Sequence, residues 1–283
     1  MSPGSVTVIV PTRHRTEYVR VAVLSILASA AELALTTSVR TRVLICDDAP
    51  ETDDTKELAR QLGVDYARVL EHDGRADPGA AIALGVSRVD TSHQLIFGDD
   101  DLMLVRHLPL AWAKVDNGAD VVSSSYQLAG ADLAPARTVV LPPTCLGDLL
   151  AGHTLVNDGS LVAHDLVAEL NWDASLEGQM LLPIWGELML AGRRFDQVTE
   201  PTWLYRRHGA NISAAALSPH DLGRRAEARE RLRQRAVAVL GSVPESPYAA
   251  QLAEKSARAE RNRRLTRRVV RRLRAGLARR LSP

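Results

Sequence analysis

Four short apolar runs, Ser5–Pro11, Arg42–Cys46, Asp65–Leu70 and Gln94–Phe97, are separated by stretches of helical character. Between the first two, Glu17–Ala31 places Val19, Val23, Ile26, Leu27 and Ala30 on one helical face. Asp54–Leu62 is expected to be the second helix, with Thr52 or Asp53 as its N-cap. Pro78–Val86 is a small-residue helix with proline near its first position. Strands that alternate with helices across short connections cannot pair as hairpins. The pattern therefore predicts an α/β protein with a mostly parallel sheet and helices on both faces. Such sheets bind ligands beyond the carboxyl ends of their strands. The residues expected there are Pro11–Arg13, Asp47-Asp48 and Gly98-Asp99-Asp100-Asp101.

The last of these carries the clearest chemistry. Three adjacent carboxylates repel one another. A hard divalent cation with oxygen ligands, bridging to a phosphate, would neutralise them. Taken alone, an acidic triplet reads equally well as a solvated turn before a helix. No glycine-rich phosphate loop follows the first strand, which disfavours P-loop and dinucleotide-binding chemistry. Phosphate charge must then be met by side chains and a metal.

Past the triplet, a helix is predicted over His107–Asp116 and a strand over Asp120–Ser125. A variable region follows, then short elements at Leu146–Leu150 and Leu161–Ala163. A helix over Leu182–Ala191 is capped by Gly192, and two strands, Arg194–Val198 and Thr202–Arg206, come next. From about residue 222 the composition changes. Residues 222–283 carry 18 Lys/Arg and 5 Asp/Glu, a balance of +13, which leaves −12 for residues 1–221. The Pro-Glu-Ser-Pro run at 244–247 divides this extension. In its second part Leu265, Val269, Leu273, Leu277 and Leu281 recur every fourth residue among arginines, the pattern of a basic amphipathic helix.

With 283 residues, 46% of them hydrophobic, the chain has ample material for a core. No uninterrupted apolar run reaches about 18 residues, so no membrane span is expected. Met1–Gly4 leads straight into the first strand, so no signal peptide is expected either. The two cysteines, Cys46 and Cys145, suit a reducing, cytoplasmic setting.

The order of motifs resembles family 2 glycosyltransferases. The likeness lies in Val8-Ile9-Val10-Pro11-Thr12 with Arg15, Cys46-Asp47-Asp48 and Gly98-Asp99-Asp100-Asp101. It continues at Asn157–Ser160, Trp172-Asp173, and Tyr205-Arg206-Arg207-His208 with Asn211 and Ser213. The resemblance implies a GT-A fold over 1–221, with a nucleotide-sugar half at 1–102 and an acceptor half at 103–221. The basic helical extension at 222–283 is additional. It also implies metal-dependent, inverting transfer from a UDP- or dTDP-sugar to an acceptor hydroxyl.

The roles implied for the matching positions follow. Pro11, Thr12 and Arg13 frame the nucleobase and ribose, and Asp48 accepts from an imide N–H of the base. Asp99 faces the ribose, while Asp100 or Asp101, with His208, ligates Mn²⁺ or Mg²⁺. Arg75 contacts the pyrophosphate or is a solvated surface arginine. The family's acidic pair, source of the catalytic base, falls at Gln179-Met180, where neither side chain can accept a proton. Glu177, Asp173 and Glu187 are the candidate replacements, with Asp158 a further one.

A catalytically impaired nucleotide-sugar-binding or scaffold protein of the same fold is the alternative. The extension is expected to lie on an anionic membrane at its inner face, or to pack on the catalytic half or a second subunit. Nucleic-acid binding is the weaker option, because residues 250–283 contain no aromatic side chain for base stacking.

Overall fold

The computed structural model describes residues 4–49, 54–70, 78–141, 145–152, 159–170, 181–209, 219–251 and 254. The first strand, β1 (Ser5–Thr12), is followed by α1 (Thr16–Thr36), β2 (Arg40–Asp47) and α2 (Thr55–Leu62). Next come β3 (Asp65–Arg68), α3 (Pro78–Val86) and β4 (His93–Ile96). β1 pairs in parallel with both β2 and β4, and β2 with β3. These four strands are the parallel half foreseen from the alternation. Their β-branched cores are fully buried: Val6, Val8, Ile9 and Val10 of β1 have no exposed surface. Each such side chain contributes about 1.5–3 kcal/mol relative to exposure. Gly85 of α3 lets that helix lie directly on Ile9 and Cys46, because a Cβ there would collide with Ile9. Burial pushes the Cys46 thiol up to about 12, so it is an inert core thiol.

Beyond β4 the sheet becomes mixed. β5 (Leu102–Met103), α4 (His107–Asp116), β6 (Val121–Ala129), β7 (Pro135–Val139) and α5 (Leu146–Leu150) follow in order. The chain then forms β8 (Leu161–Ala163), α6 (Leu181–Leu190), β9 (Phe195–Arg206) and α7 (Pro219–Leu240). Among the described residues nine strands form one sheet in the order β3-β2-β1-β4-β8-β6-β9-β5, with β7 on β6. β8 is antiparallel to both β4 and β6, whereas β6 and β9 run parallel.

Several elements differ from the sequence-based expectation. The two strands anticipated around residue 200 are one, β9, and its extra residues are absorbed by register shifts against β6 at Ser124/Ser125 and Ser125/Gln127. Pro201 sits at such an irregularity, where its missing N–H costs no regular ladder bond. The N-cap of α2 is Asp54, with no side-chain capping bond, rather than Thr52 or Asp53, which lie outside the described residues. β5 and β7 had no sequence signal of their own.

α1 runs five residues further than expected, to Thr36, and by length and composition alone it could cross a membrane, with a mean hydropathy of 1.7. In the fold its apolar face, including Val19, Val23, Ile26 and Leu33, is buried in the main core. Ser25 Oγ accepts from Met103 N–H and Ser29 Oγ from Leu108 N–H, both at 3.0 Å. These two bonds tie α1 to β5 and α4.

The 221/222 boundary drawn from composition falls inside α7, and Leu232 and Ala236 of that helix are buried with Leu149, Leu150, Ile184, Trp185 and Leu188. Gly186 makes room for Leu232, since a Cβ there would meet its methyl groups. The segment beyond α7 docks as well. Buried Asp148 accepts from Ser246 Oγ at 2.6 Å and Tyr248 N–H at 2.8 Å. Gly147 lies so close to the Glu245 backbone that any side chain would collide with it. The Leu/Val stripe at 265–281 lies outside the described residues.

Candidate active site

Parallel pairing on both sides of β1 sets the site. The register aligns Thr12 with Asp47, and Phe97 N–H continues the ladder to Ile9 carbonyl oxygen at 2.9 Å. The loops after β1, β2 and β4 must therefore open side by side. Asp48 N–H donates to Thr12 carbonyl oxygen at 2.9 Å, which anchors the second loop to the first. Asp47, fully buried, accepts from Ala49 N–H and Tyr66 Oη, both at 2.9 Å. Asp47 thus shapes the turn that presents Asp48.

Asp48 is buried beneath Arg13, whose Nη1 lies 3.3 Å from Asp48 Oδ2. Across β1, Thr12 Oγ1 donates to Asp99 Oδ2 at 2.8 Å. Arg15 Nη1 reaches Asp99 Oδ1 at 3.1 Å and Asp100 Oδ2 at 3.2 Å. Burial pushes the Asp99 carboxyl up to about 6; Arg15 pulls against that shift and neighbouring Asp100 adds to it. His208 Nε2 lies 2.8 Å from the same Asp100 Oδ2. Asp101 Oδ1 accepts from Arg206 N–H at 2.9 Å, which fixes the end of β9 over the triplet. Gly98 leaves the necessary space, because a Cβ would stand 3.0 Å from Asp101 Oδ2 and 3.4 Å from Asp100 Oδ1.

The structure thus brings together Thr12, Arg13, Asp48, Asp99, Asp100, Asp101 and His208 from four distant stretches. Two further residues complete the set. Arg15 stood in the first motif but had no assigned role. Tyr18, one helical turn later, stacks on His208 with ring centroids 5.0 Å apart and carries the Arg206 guanidinium 4.8 Å from its ring centroid. The i, i+3 spacing of Arg15 and Tyr18 at the start of α1 was the available signal.

Glu187 is not joined to this cluster. Its carboxylate takes Nε and Nη2 of Arg235 of α7 at 3.1 and 2.9 Å, the expected arrangement for a structural ion pair. Arg75, Asp158, Asp173 and Glu177 lie outside the described residues.

Among the described residues no group of three His, Cys, Asp or Glu side chains converges as a metal cluster. The pair Asp100 and His208 nevertheless fits a small hard cation. Their facing atoms are 2.8 Å apart, close to the roughly 3 Å between adjacent ligands of an octahedral ion bound at about 2.1 Å. Mg²⁺ sites commonly use one or two protein ligands, with water and substrate phosphates supplying the rest. Asp101, also expected as a ligand, gives one oxygen to the backbone of Arg206. A cleft of about 650 Å³ opens beside the cluster between the first turn of α1 and α2, bordered by Arg15, Tyr18, Arg20, Asp54 and Glu57.

Solved structures share this architecture. S. aureus TarS 1-349 in complex with UDP-GlcNAc superposes with a TM-score of 0.61 at 17% identity, over 83% of this chain and 67% of that one. Against the longer S. aureus TarS chain the TM-score is 0.60 at 17% identity; 83% of this chain is covered, but it spans only 40% of that chain. Glucosyl-3-phosphoglycerate synthase from Mycobacterium tuberculosis, in complex with Mn²⁺, UDP-glucose and phosphoglyceric acid, gives a TM-score of 0.51 at 15% identity, over 87% of this chain and 82% of that one. No curated protein matches the chain in sequence. Residues 7–142 match the family model described as glycosyl transferase family 2. That match covers the strands and loops that assemble the carboxylate site: residues 7–142 form a domain of the glycosyl transferase family 2 kind, and the chain has the GT-A fold.

Proposed function

We propose that the chain transfers a sugar from a UDP- or dTDP-sugar to an acceptor hydroxyl, with inversion and with help from Mn²⁺ or Mg²⁺. The observation that carries this reading is the meeting of Asp48, Asp99, Asp100 and His208 around the end of β1. The UDP-GlcNAc carried by TarS and the Mn²⁺ and UDP-glucose carried by the synthase support the donor and metal classes.

In this reading Asp48 accepts from the imide N–H of the base, a donor that uracil and thymine share. Asp99, held by Thr12, takes a ribose hydroxyl. Asp100 and His208 would hold the cation, which would offset the charge on the departing diphosphate. Tyr18 keeps the His208 ring oriented, and Arg206 N–H keeps Asp101 from turning away. The acceptor oxygen attacks C1 from the face opposite the diphosphate; the C1–O bond to phosphate breaks as the new glycosidic bond forms. The acceptor proton passes to a carboxylate. With Glu187 engaged by Arg235, Glu177 or Asp173 is the assigned base.

The acceptor is a saccharide, a lipid-linked carrier or a natural-product scaffold. The basic tail holds the enzyme at the cytoplasmic face of an anionic membrane.

A thermal-shift series with UDP, dTDP, GDP and CDP, each with and without Mn²⁺, tests the reading. UDP or dTDP is expected to stabilise the protein most, and more strongly with Mn²⁺. Stabilisation by none of the four would sink the proposal. Nucleotide binding without donor turnover would instead favour a donor-binding protein, the reading that Gln179-Met180 supports.

A further inference from the structure

We infer that Arg15 is the resident counter-cation of the donor site, which yields Asp100 to the bound divalent ion and turns its freed guanidinium edge to the donor diphosphate. The inference rests on the metal-dependent reading above and adds an order of events to it.

Three observations carry it. A single nitrogen, Arg15 Nη1, bridges Asp99 Oδ1 and Asp100 Oδ2 at 3.1 and 3.2 Å. The same Asp100 Oδ2 meets His208 Nε2 at 2.8 Å. A carboxylate oxygen has two lone pairs, and both are directed to protein partners here. A cation at that oxygen therefore has to end one of these contacts. Ligation through His208 Nε2 already ends its hydrogen bond to Asp100, but leaving Arg15 in place would keep a guanidinium beside the ion, so Arg15 must yield as well.

The second observation is that Arg15 keeps a foothold. Asp99 is buried, and its other oxygen is held by Thr12. Arg15 can pivot about Asp99 Oδ1 without abandoning a buried carboxylate. The third is room for that pivot. Arg15 is partly exposed and borders the 650 Å³ cleft together with Tyr18, Asp54 and Glu57.

A cation arriving alone then competes with Arg15, whereas a cation arriving with a nucleoside diphosphate offers the guanidinium phosphate oxygens in exchange. Cation and nucleotide should bind synergistically.

Titrating MnCl₂ into the full-length chain by calorimetry, with and without saturating UDP, tests this in the wild type, Arg15→Met and Arg15→Lys. In the wild type Mn²⁺ alone should bind at least about tenfold more weakly than Mn²⁺ with UDP. Arg15→Met should bind Mn²⁺ alone about tenfold more tightly than wild type, and should lose most of the UDP enhancement. Arg15→Lys, which keeps the charge but cannot bridge so rigidly, should fall between them. An unchanged or weaker affinity for Mn²⁺ alone in Arg15→Met, with UDP binding kept, overturns the inference while leaving the metal reading standing. Should Arg15→Met fail to fold, an unchanged Mn²⁺ affinity in Arg15→Lys overturns it equally. Wild-type protein that binds UDP but never Mn²⁺ overturns the metal reading, and the displacement with it.

Discussion

At the scale of single residues, Asp100 is the hub of the site. It is the carboxylate that β4's loop and the end of β9 share, and it links Arg15 to His208. An Asp100→Asn exchange keeps the volume and removes the charge. It should leave the fold intact and lower Mn²⁺ affinity in the presence of UDP by about 10–100-fold, the effect of losing a charged partner. Thermal shifts would show this as loss of the Mn²⁺-dependent increment with retention of the UDP-alone increment; an unchanged increment would return the triplet to a structural turn.

His107 shows the opposite use of a buried polar group. Its Nδ1 faces Thr202 Oγ1 at 2.8 Å and its Nε2 faces Gly159 carbonyl oxygen at 3.0 Å. Burial lowers the ring from its ordinary 6.5 to about 4, against the raising effect of that carbonyl. The folded state therefore resists a proton that the unfolded chain accepts below pH 6.5. Above 6.5 both states are neutral and nothing is lost. As pH falls from 6.5 to 4 the fold should lose up to about 3 kcal/mol. Urea midpoints at pH 7 and pH 4.5 measure it, and a His107→Gln variant should lack that part of the slope.

At the scale of elements, β1 decides the geometry by being the shared neighbour of β2 and β4. That position could be anticipated, because parallel strands with helical crossovers leave few orders open. The mixed half of the sheet is a different case. β8 inverts the sheet between β4 and β6, and β9 threads between β6 and β5. Three- and two-residue strands such as β8 and β5 carry too little periodicity to announce their partners. α7 belongs to this half energetically. Leu232 sits 3% exposed against Gly186, so Leu232→Ala should destabilise the protein by about 2–5 kcal/mol. A denaturant midpoint within error of wild type would show that α7 is an appendage. The Glu187–Arg235 pair on the same interface is half-exposed and contributes at most about 1 kcal/mol.

For the whole molecule, the charge division remains its largest-scale feature: −12 over residues 1–221 and +13 over 222–283. The first part of the basic extension packs its apolar residues on the rest of the fold and pairs Arg235 with Glu187, and we propose that the arginines of 258–280 meet an anionic surface. Removing residues 255–283 should leave UDP affinity unchanged and reduce binding to phosphatidylserine-containing vesicles at least about tenfold at 0.1 M salt. Equal vesicle binding by both forms would dismiss the membrane role.

The sequence by itself determined the parallel half of the sheet and the residues at its strand ends, because strand periodicity and charge at strand termini are local properties of the chain. It also pointed to His208 through a motif. Only the tertiary structure decided that His208 meets Asp100 across 108 positions, that Arg15 bridges two of the three carboxylates, that Tyr18 supports the imidazole, and that Glu187 answers to Arg235. Those pairings depend on which strand lies beside which and on how two buried charges choose a partner, and neither is encoded within reach of a short stretch of residues.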